Sequence, residues 1–158
     1  MAILTFRDAT ADDLPRIVSM YADDDLGSGR ESATDPLPDS YLQAFQQIDA
    51  DPRHRLIVAE DAGHDGEVVA TLQLSFLPQL SRRGSERAQI ESVRVASARR
   101  GGGIGSALMT WAISVAQQRG CSTVQLTTNT KRQDAHRFYE GLGFTASHVG
   151  MKRALDVT

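Results

Sequence analysis

Apolar residues return along the chain in two rhythms, and the switches between them mark out the elements. AILTFR (2–7) reads as a first strand. Leu14, Ile17, Val18 and Tyr21 then fall at helical spacing, so a helix is expected here, capped by Asp12, with Pro15 tolerated in its first turn. Residues 23–40 are rich in Asp, Gly, Ser and Pro and read as a loop. Behind Pro38 the helical rhythm resumes with Tyr41, Leu42, Phe45 and Ile48. HRLIVAED (54–61) and EVVATLQLSFL (67–77) read as strands joined by the turn AGHDG, and AQIESVRVAS (88–97) as the next strand beyond a hairpin connection. Ile104, Leu108, Trp111, Ala112 and Val115 predict a helix over about 103–119, stopped by Gly120. STVQLTTN (122–129) is a strand and RQDAHRFYEGL (132–142) a short helix. Residues 143–155 are expected to add one or two strands. Strands interrupted by helices define a mixed α/β layer fold, taken as one domain over 1–158.

Composition narrows the function. The chain has 158 residues and is 41% hydrophobic, enough for one domain with a real core. A net charge of −3 supplies no basic field for nucleic acid, and no apolar run approaches the roughly 18 residues of a membrane span. The N-terminus lacks a secretory pattern, and one cysteine, Cys121, excludes an internal disulfide and a Cys-based zinc site. His54, His64, His136 and His148 are scattered without ligand spacing, so no metal is expected. A cytoplasmic location is the expectation.

The densest chemistry lies in RRGGGIG (99–105), between a strand and a helix. A helix N-terminus exposes unpaired N–H groups and a partial positive charge, and glycine lets the backbone turn tightly and a ligand approach. That combination suits a phosphate, with Arg99 and Arg100 able to add charge. A P-loop ranks low because no lysine lies between 99 and 130. A dinucleotide fingerprint ranks low: the next strand ends in Thr128 and Asn129 rather than an acid, and too little chain follows for a doubly wound sheet.

RGGGIG (100–105) resembles the Arg/Gln-x-x-Gly-x-Gly/Ala pyrophosphate loop of the GNAT N-acetyltransferase superfamily. DAHRFYEGLGF (134–144) resembles that family's Ala-x-x-Phe/Leu-Tyr-x-x-x-Gly-Phe stretch, and IESVRV (90–95) stands where its central strand belongs. The resemblance implies a single-domain fold with a mixed, mostly antiparallel sheet of about six to seven strands, about four helices, a bulged central strand and a splayed cleft. It implies acetyl-CoA as acyl donor. The pyrophosphate would lie on Arg100, Gly101, Gly102, Gly103, Ile104, Gly105 and Ser106, and the pantetheine arm beside Val93 and Val95. Many members carry Asn where Arg132 stands; here either Asn129 or Arg132 could serve the arm. Tyr139 matches the family tyrosine that gives the departing thiolate a proton or hydrogen bond. Phe138 and Phe144 are expected to pack only.

The central strand carries a signal of its own. Ile90 sets one phase of alternation and Val93 and Val95 the other, so the phase slips after Glu91. A β-bulge does this, and so does a strand buried on both faces, which has no phase to keep. A bulge would leave an N–H, that of Val93, to hold a thioester carbonyl and the oxyanion it becomes. An amine with pKa near ~10 must lose a proton before attack, at roughly 4 kcal/mol, and Glu91 beside the bulge is the candidate base, its pKa raised by partial burial. The other reading of Glu91 is a carboxylate that orders the strand or binds a substrate cation. Arg137 either reaches the phosphates or is a solvated helix residue.

The acceptor is weakly written. Asp23, Asp24, Asp25, Glu31 and Asp35 would make an acidic wall attractive to a cation, while Arg82, Arg83 and Arg87 favour an anion; both sets also fit solvated loops. The leading expectation is direct acetyl transfer to a small amine in a ternary complex, since Cys121 shows no sign of activation. Alternatives are another acyl-CoA or a protein lysine as partner, or an acyl-CoA-binding domain without turnover. A homodimer is common in the family and is kept as an expectation.

Overall fold

The computed structural model describes residues 2–24 and 28–156. Asp25, one of the acidic-wall residues, lies outside them. Five strands, β1 (Leu4–Asp8), β2 (His54–Asp61), β3 (Glu67–Pro78), β4 (Glu86–Val95) and β5 (Thr123–Leu126), form one open mixed sheet in that order. The β1–β2, β2–β3 and β3–β4 pairings are antiparallel. The helices are α1 (Leu14–Ala22), α2 (Asp39–Ala50), the single turn α3 (Ser81–Gly84), α4 (Ile104–Arg119) and α5 (Gln133–Gly141). The chain divides into two compact units, Met1–Gln125 and Leu126–Thr158.

The first unit holds the core. Val69, Ala70, Thr71 and Leu72 are consecutive and all buried, so the centre of the sheet is covered on both faces. Leu14, Ile17 and Met20 of α1 pack with Leu56, Val58 and Ala96, and Phe45 and Ile48 of α2 close over the same cluster. Each such fully buried aliphatic side chain contributes about 1.5–3 kcal/mol. Phe6 stands opposite Ala59 in the ladder, on the other face from Leu56 and Val58, and stacks on Trp111 of α4 with ring centroids 5.4 Å apart. Arg55 lies over the same indole at 5.5 Å. Ile104, Leu108, Met109, Ala112 and Ala116 form the buried stripe of α4, and Gly120, at φ 87°, ends the helix where the sequence places its stop.

Three expectations need correction. The entry to α1 is built by Thr10 and Asp13, not Asp12: a 3₁₀ turn, Ala11–Asp13, precedes the helix, and the Asp13 carboxylate accepts the Thr10 N–H at 2.7 Å. Asp12 is exposed. Among the described residues the strand count is five rather than six to seven, because residues 143–156 form no strand. A strand is a pairing rather than a local preference, and this segment engages no ladder. Among the described residues the helix count is five rather than about four, the addition being the turn at Ser81–Gly84. That turn carries Arg82 and Arg83 at φ 53° and 61°, a tight reversal inside the expected hairpin connection.

Candidate active site

The first unit carries β4, which was expected as the central strand and stands fourth in the sheet order, and the glycine loop. Along β3 and β4, Gln73 faces Glu91 and Thr71 faces Arg94, so two residues of β4, Ser92 and Val93, stand opposite Leu72 alone. This is a β-bulge, and it decides between the two readings of the strand. Ser92 takes φ 55°, the left-handed region that a β-bulge uses to bend its strand. Val93 and Val95 are half-buried. Glu91 is exposed, which corrects the expectation of partial burial.

Side chains from α1 brace the bulge. The Tyr21 hydroxyl meets the side chains of Ser92 and Thr71, and burial pushes its phenol up to about 12 although the nearby Arg94 guanidinium pulls the other way. Tyr21 therefore stays a neutral hydrogen-bonding group at any working pH. Arg94 donates to the Val93 carbonyl at 2.8 Å and to Asp24 at 3.1 Å, tying the bulged strand to the end of α1. Glu31 accepts from the Tyr41 hydroxyl at 2.8 Å, which holds the connection between α1 and α2 against α2. Asp24 and Glu31 are thus engaged in bonds of their own, and Asp35 is exposed.

The glycine loop follows a 3₁₀ turn, Ser97–Arg99. Gly101 and Gly103 have φ of 80° and 78°, and a Cβ on either would meet no atom of the described residues within 4 Å. Glycine is demanded there by backbone conformation, and the side on which a side chain would stand is open. Gly103 precedes α4, no side chain caps that helix, and Ala107 N–H is bonded to the Gly103 carbonyl at 3.0 Å. The first N–H groups of α4 consequently have no intrahelical partner. Ile104 is buried and pins the loop to the core, while Gly105 and Ser106 are half-buried and Gly102 is exposed.

The two arginines before the glycines behave differently. Arg100 is exposed, donates to the Val95 carbonyl at 3.2 Å and to the Asp23 carbonyl at 3.1 Å, and joins the end of β4 to the end of α1. Arg99 does not face the glycines: its guanidinium bonds the buried carboxylate of Asp61, at the end of β2. Arg99, expected to add charge beside a phosphate, serves Asp61 instead, whose only sequence signal is an acid at a strand end two residues before a glycine.

In the second unit Asn129 shapes the entry to α5. Its Oδ1 accepts the Lys131 N–H at 2.9 Å, and its carbonyl accepts the Arg132 N–H at 2.9 Å. Arg132 immediately precedes α5 and is half-buried. Tyr139, also half-buried, meets Phe138 and Phe144 edge-on, with centroids 5.2 and 6.0 Å apart. Phe138 and Phe144 thus pack around the tyrosine ring, as expected. Arg137 is exposed and paired with Asp134, which favours the solvated-helix reading. In the first unit, burial and the neighbouring Glu86 push the Cys121 thiol up, away from the thiolate a nucleophile needs. Among the described residues no group of three His, Cys, Asp or Glu could hold a metal ion, and no helix is long and apolar enough to cross a membrane.

The first unit thus combines a bulged strand with a glycine loop that opens a helix. The model of the Acetyltransferase (GNAT) family matches residues 17–144, and the chain belongs to that family. Among individual proteins, the chain is 35% identical over 112 residues to an aminoalkylphosphonate N-acetyltransferase of Salmonella typhimurium, covering 71% of this chain and 69% of that one. A crystal structure described as a transcriptional regulator from Bacillus halodurans is 51% identical, with a TM-score of 0.92 over 96% of this chain and 99% of the other. Glucosamine-6-phosphate N-acetyltransferase from Arabidopsis thaliana shares the fold at 20% identity, with a TM-score of 0.74 over 97% and 99% of the two chains.

Proposed function

We propose that the chain transfers an acetyl group from acetyl-CoA to the amine of a small molecule by direct attack in a ternary complex. The observation that carries this reading is the open glycine loop at the start of α4, directly downstream of the bulged strand. The diphosphate would rest on the N–H groups of Gly101 to Ser106, and the pantetheine arm beside Val93 and Val95. The Val93 N–H, left out of one-to-one pairing, would hold the thioester carbonyl. The amine lone pair attacks the carbonyl carbon, the oxyanion forms against that donor, and its collapse expels the CoA thiolate. Glu91 takes the amine proton through water, which suits an exposed carboxylate at the bulge. Tyr139 donates to the departing sulfur. For the arm, either Asn129 or Arg132, both in the turn that leads into α5, would serve.

The Salmonella relative makes aminoalkylphosphonates the first acceptors to try. The test measures CoA-thiol release from acetyl-CoA with a panel of aminoalkylphosphonates, amino acids, polyamines, aminoglycosides and peptides, and the mass of each product. Release with a small amine and a product heavier by one acetyl group supports the proposal. The 51% identity to a protein described as a transcriptional regulator favours one second reading, acyl-CoA binding without turnover. Calorimetric uptake of acetyl-CoA with no acceptor-dependent thiol release would select it.

A further inference from the structure

The residue that fixes the glycine loop lies in another part of the sheet. We propose that Asp61, through Arg99, is a positioning residue for the coenzyme's diphosphate; this rests on the reading of residues 100–106 as the diphosphate loop.

Asp61 ends β2 and is 1% exposed. Its Oδ1 accepts the Gly63 N–H at 3.0 Å, and its Oδ2 lies 2.9 Å from His64 Nδ1 and is bonded by the Arg99 guanidinium. Its own carbonyl accepts the Gly66 N–H at 3.2 Å, so a single residue organises the turn between β2 and β3. That turn reaches the loop because β3 and β4 run antiparallel: Ala70 faces Val95, and the Ala96 N–H bonds the Val69 carbonyl at 2.9 Å. The far end of Arg99 is thus fixed in the sheet. Its near end lies under the glycines: a Cβ on Gly102 would stand 3.6 Å from the Arg99 carbonyl. Glu67 adds a weaker hold on the same guanidinium at 3.8 Å, and itself pairs with Arg16.

The chemistry explains why a charge pair serves here. Gly101 and Gly103 lie in open space and supply no side chain to restrain the loop. Ile104 restrains it from the helix side only. The Asp61–Arg99 pair restrains it from the strand side, in a buried setting where two ion-paired groups have few alternative partners. Donors that are already aimed bind an anion without first losing freedom, so the pair acts on coenzyme affinity rather than on the chemical step.

The experiment compares the unsubstituted protein with Arg99→Gln, Arg99→Lys, Asp61→Asn and the double variant Asp61→Asn/Arg99→Gln. Calorimetry with acetyl-CoA, steady-state kinetics and amide hydrogen exchange are the readouts. The expected result for Arg99→Gln is a KM for acetyl-CoA raised about tenfold with kcat and the acceptor KM little changed. Exchange should accelerate at 101–106 while β2 and β3 stay protected. Arg99→Lys should recover part of the affinity, and the double variant should lose no more than the worse single one. Arg99→Gln removes a partly exposed side chain and leaves Asp61 its bonds to Gly63 and His64, so it tests the idea even where Asp61→Asn fails to fold. Unchanged coenzyme affinity and loop exchange in folded Arg99→Gln would overturn the assignment while leaving the proposed function standing. Failure of the unsubstituted protein itself to take up acetyl-CoA would overturn both.

Discussion

Gly103 separates blocking from misfolding at a single position. Its φ of 78° is unfavourable for any side chain, so Gly103→Ala should cost about 1 kcal/mol, read from a shifted urea midpoint. Because no atom of the described residues lies within 4 Å of the added Cβ, Gly103→Glu can fold at a similar cost while placing a carboxylate where the diphosphate would bind. The expected result is a native circular dichroism spectrum with no calorimetric heat on adding CoA; binding at ordinary affinity would contradict the loop assignment. Tyr139→Phe is the matching change for the chemical step. It keeps the ring contacts to Phe138 and Phe144 and removes only the hydroxyl. Turnover should fall about 100-fold with the KM for acetyl-CoA unchanged; wild-type kcat would remove the acid role. What was legible at this scale was backbone demand: the glycines announce their turn in the sequence. Which carboxylate an arginine finds was not, because Asp61 ends β2 and Arg99 lies in the 3₁₀ turn after β4, and nothing local connects them.

At the scale of elements the bulge in β4 is the feature on which the reaction geometry turns. Deleting Ser92 would set Val93 opposite Leu72, leaving Glu91 on Gln73 and Arg94 on Thr71, so the sheet would close without losing any other pair. The deletion variant is expected to fold and to lose acetyl transfer, since β4 loses the bend that its extra residue imposes. Full activity in a folded deletion would detach the chemistry from the bulge. The slip in alternation after Glu91 made the bulge readable. The buried stripe of α4 and the bounds of β2 were equally plain, because periodicity within one segment carries them. The stretch 143–155 misled for the opposite reason: its residues suit a strand, but a strand exists only where a neighbour accepts its hydrogen bonds. The cap of α1 was misplaced by one residue because Thr10 and Asp13 serve each other across a 3₁₀ turn, and Asp12 is merely the acid between them.

For the whole molecule, acid stability follows from ion pairs that join distant elements. Arg7 on β1 grips Asp13 through two bonds of 2.7 and 3.0 Å and bonds Glu60 on β2 at 2.8 Å. The Arg7 guanidinium holds the Asp13 carboxyl below its ordinary value, and Arg55 does the same for Asp8. A depressed folded-state pKa gives stability that is complete above the unfolded value near 4 and is lost as pH falls through the folded one. The urea midpoint should therefore be level through neutral pH and drop below about pH 4. Asp13→Asn should lower it at neutral pH and flatten the drop. An identical acid profile in that variant would assign the loss elsewhere.

The stack of Phe6 on Trp111 has a practical consequence. The chain contains a single tryptophan, and it sits in the helix whose first turn borders the glycine loop. Its emission under selective excitation is an internal gauge of how α4 seats against β1, readable without any label. A spectral shift that saturates with added nucleotide would report ligand capture at the helix mouth, and the same signal would follow the unfolding of every variant named above.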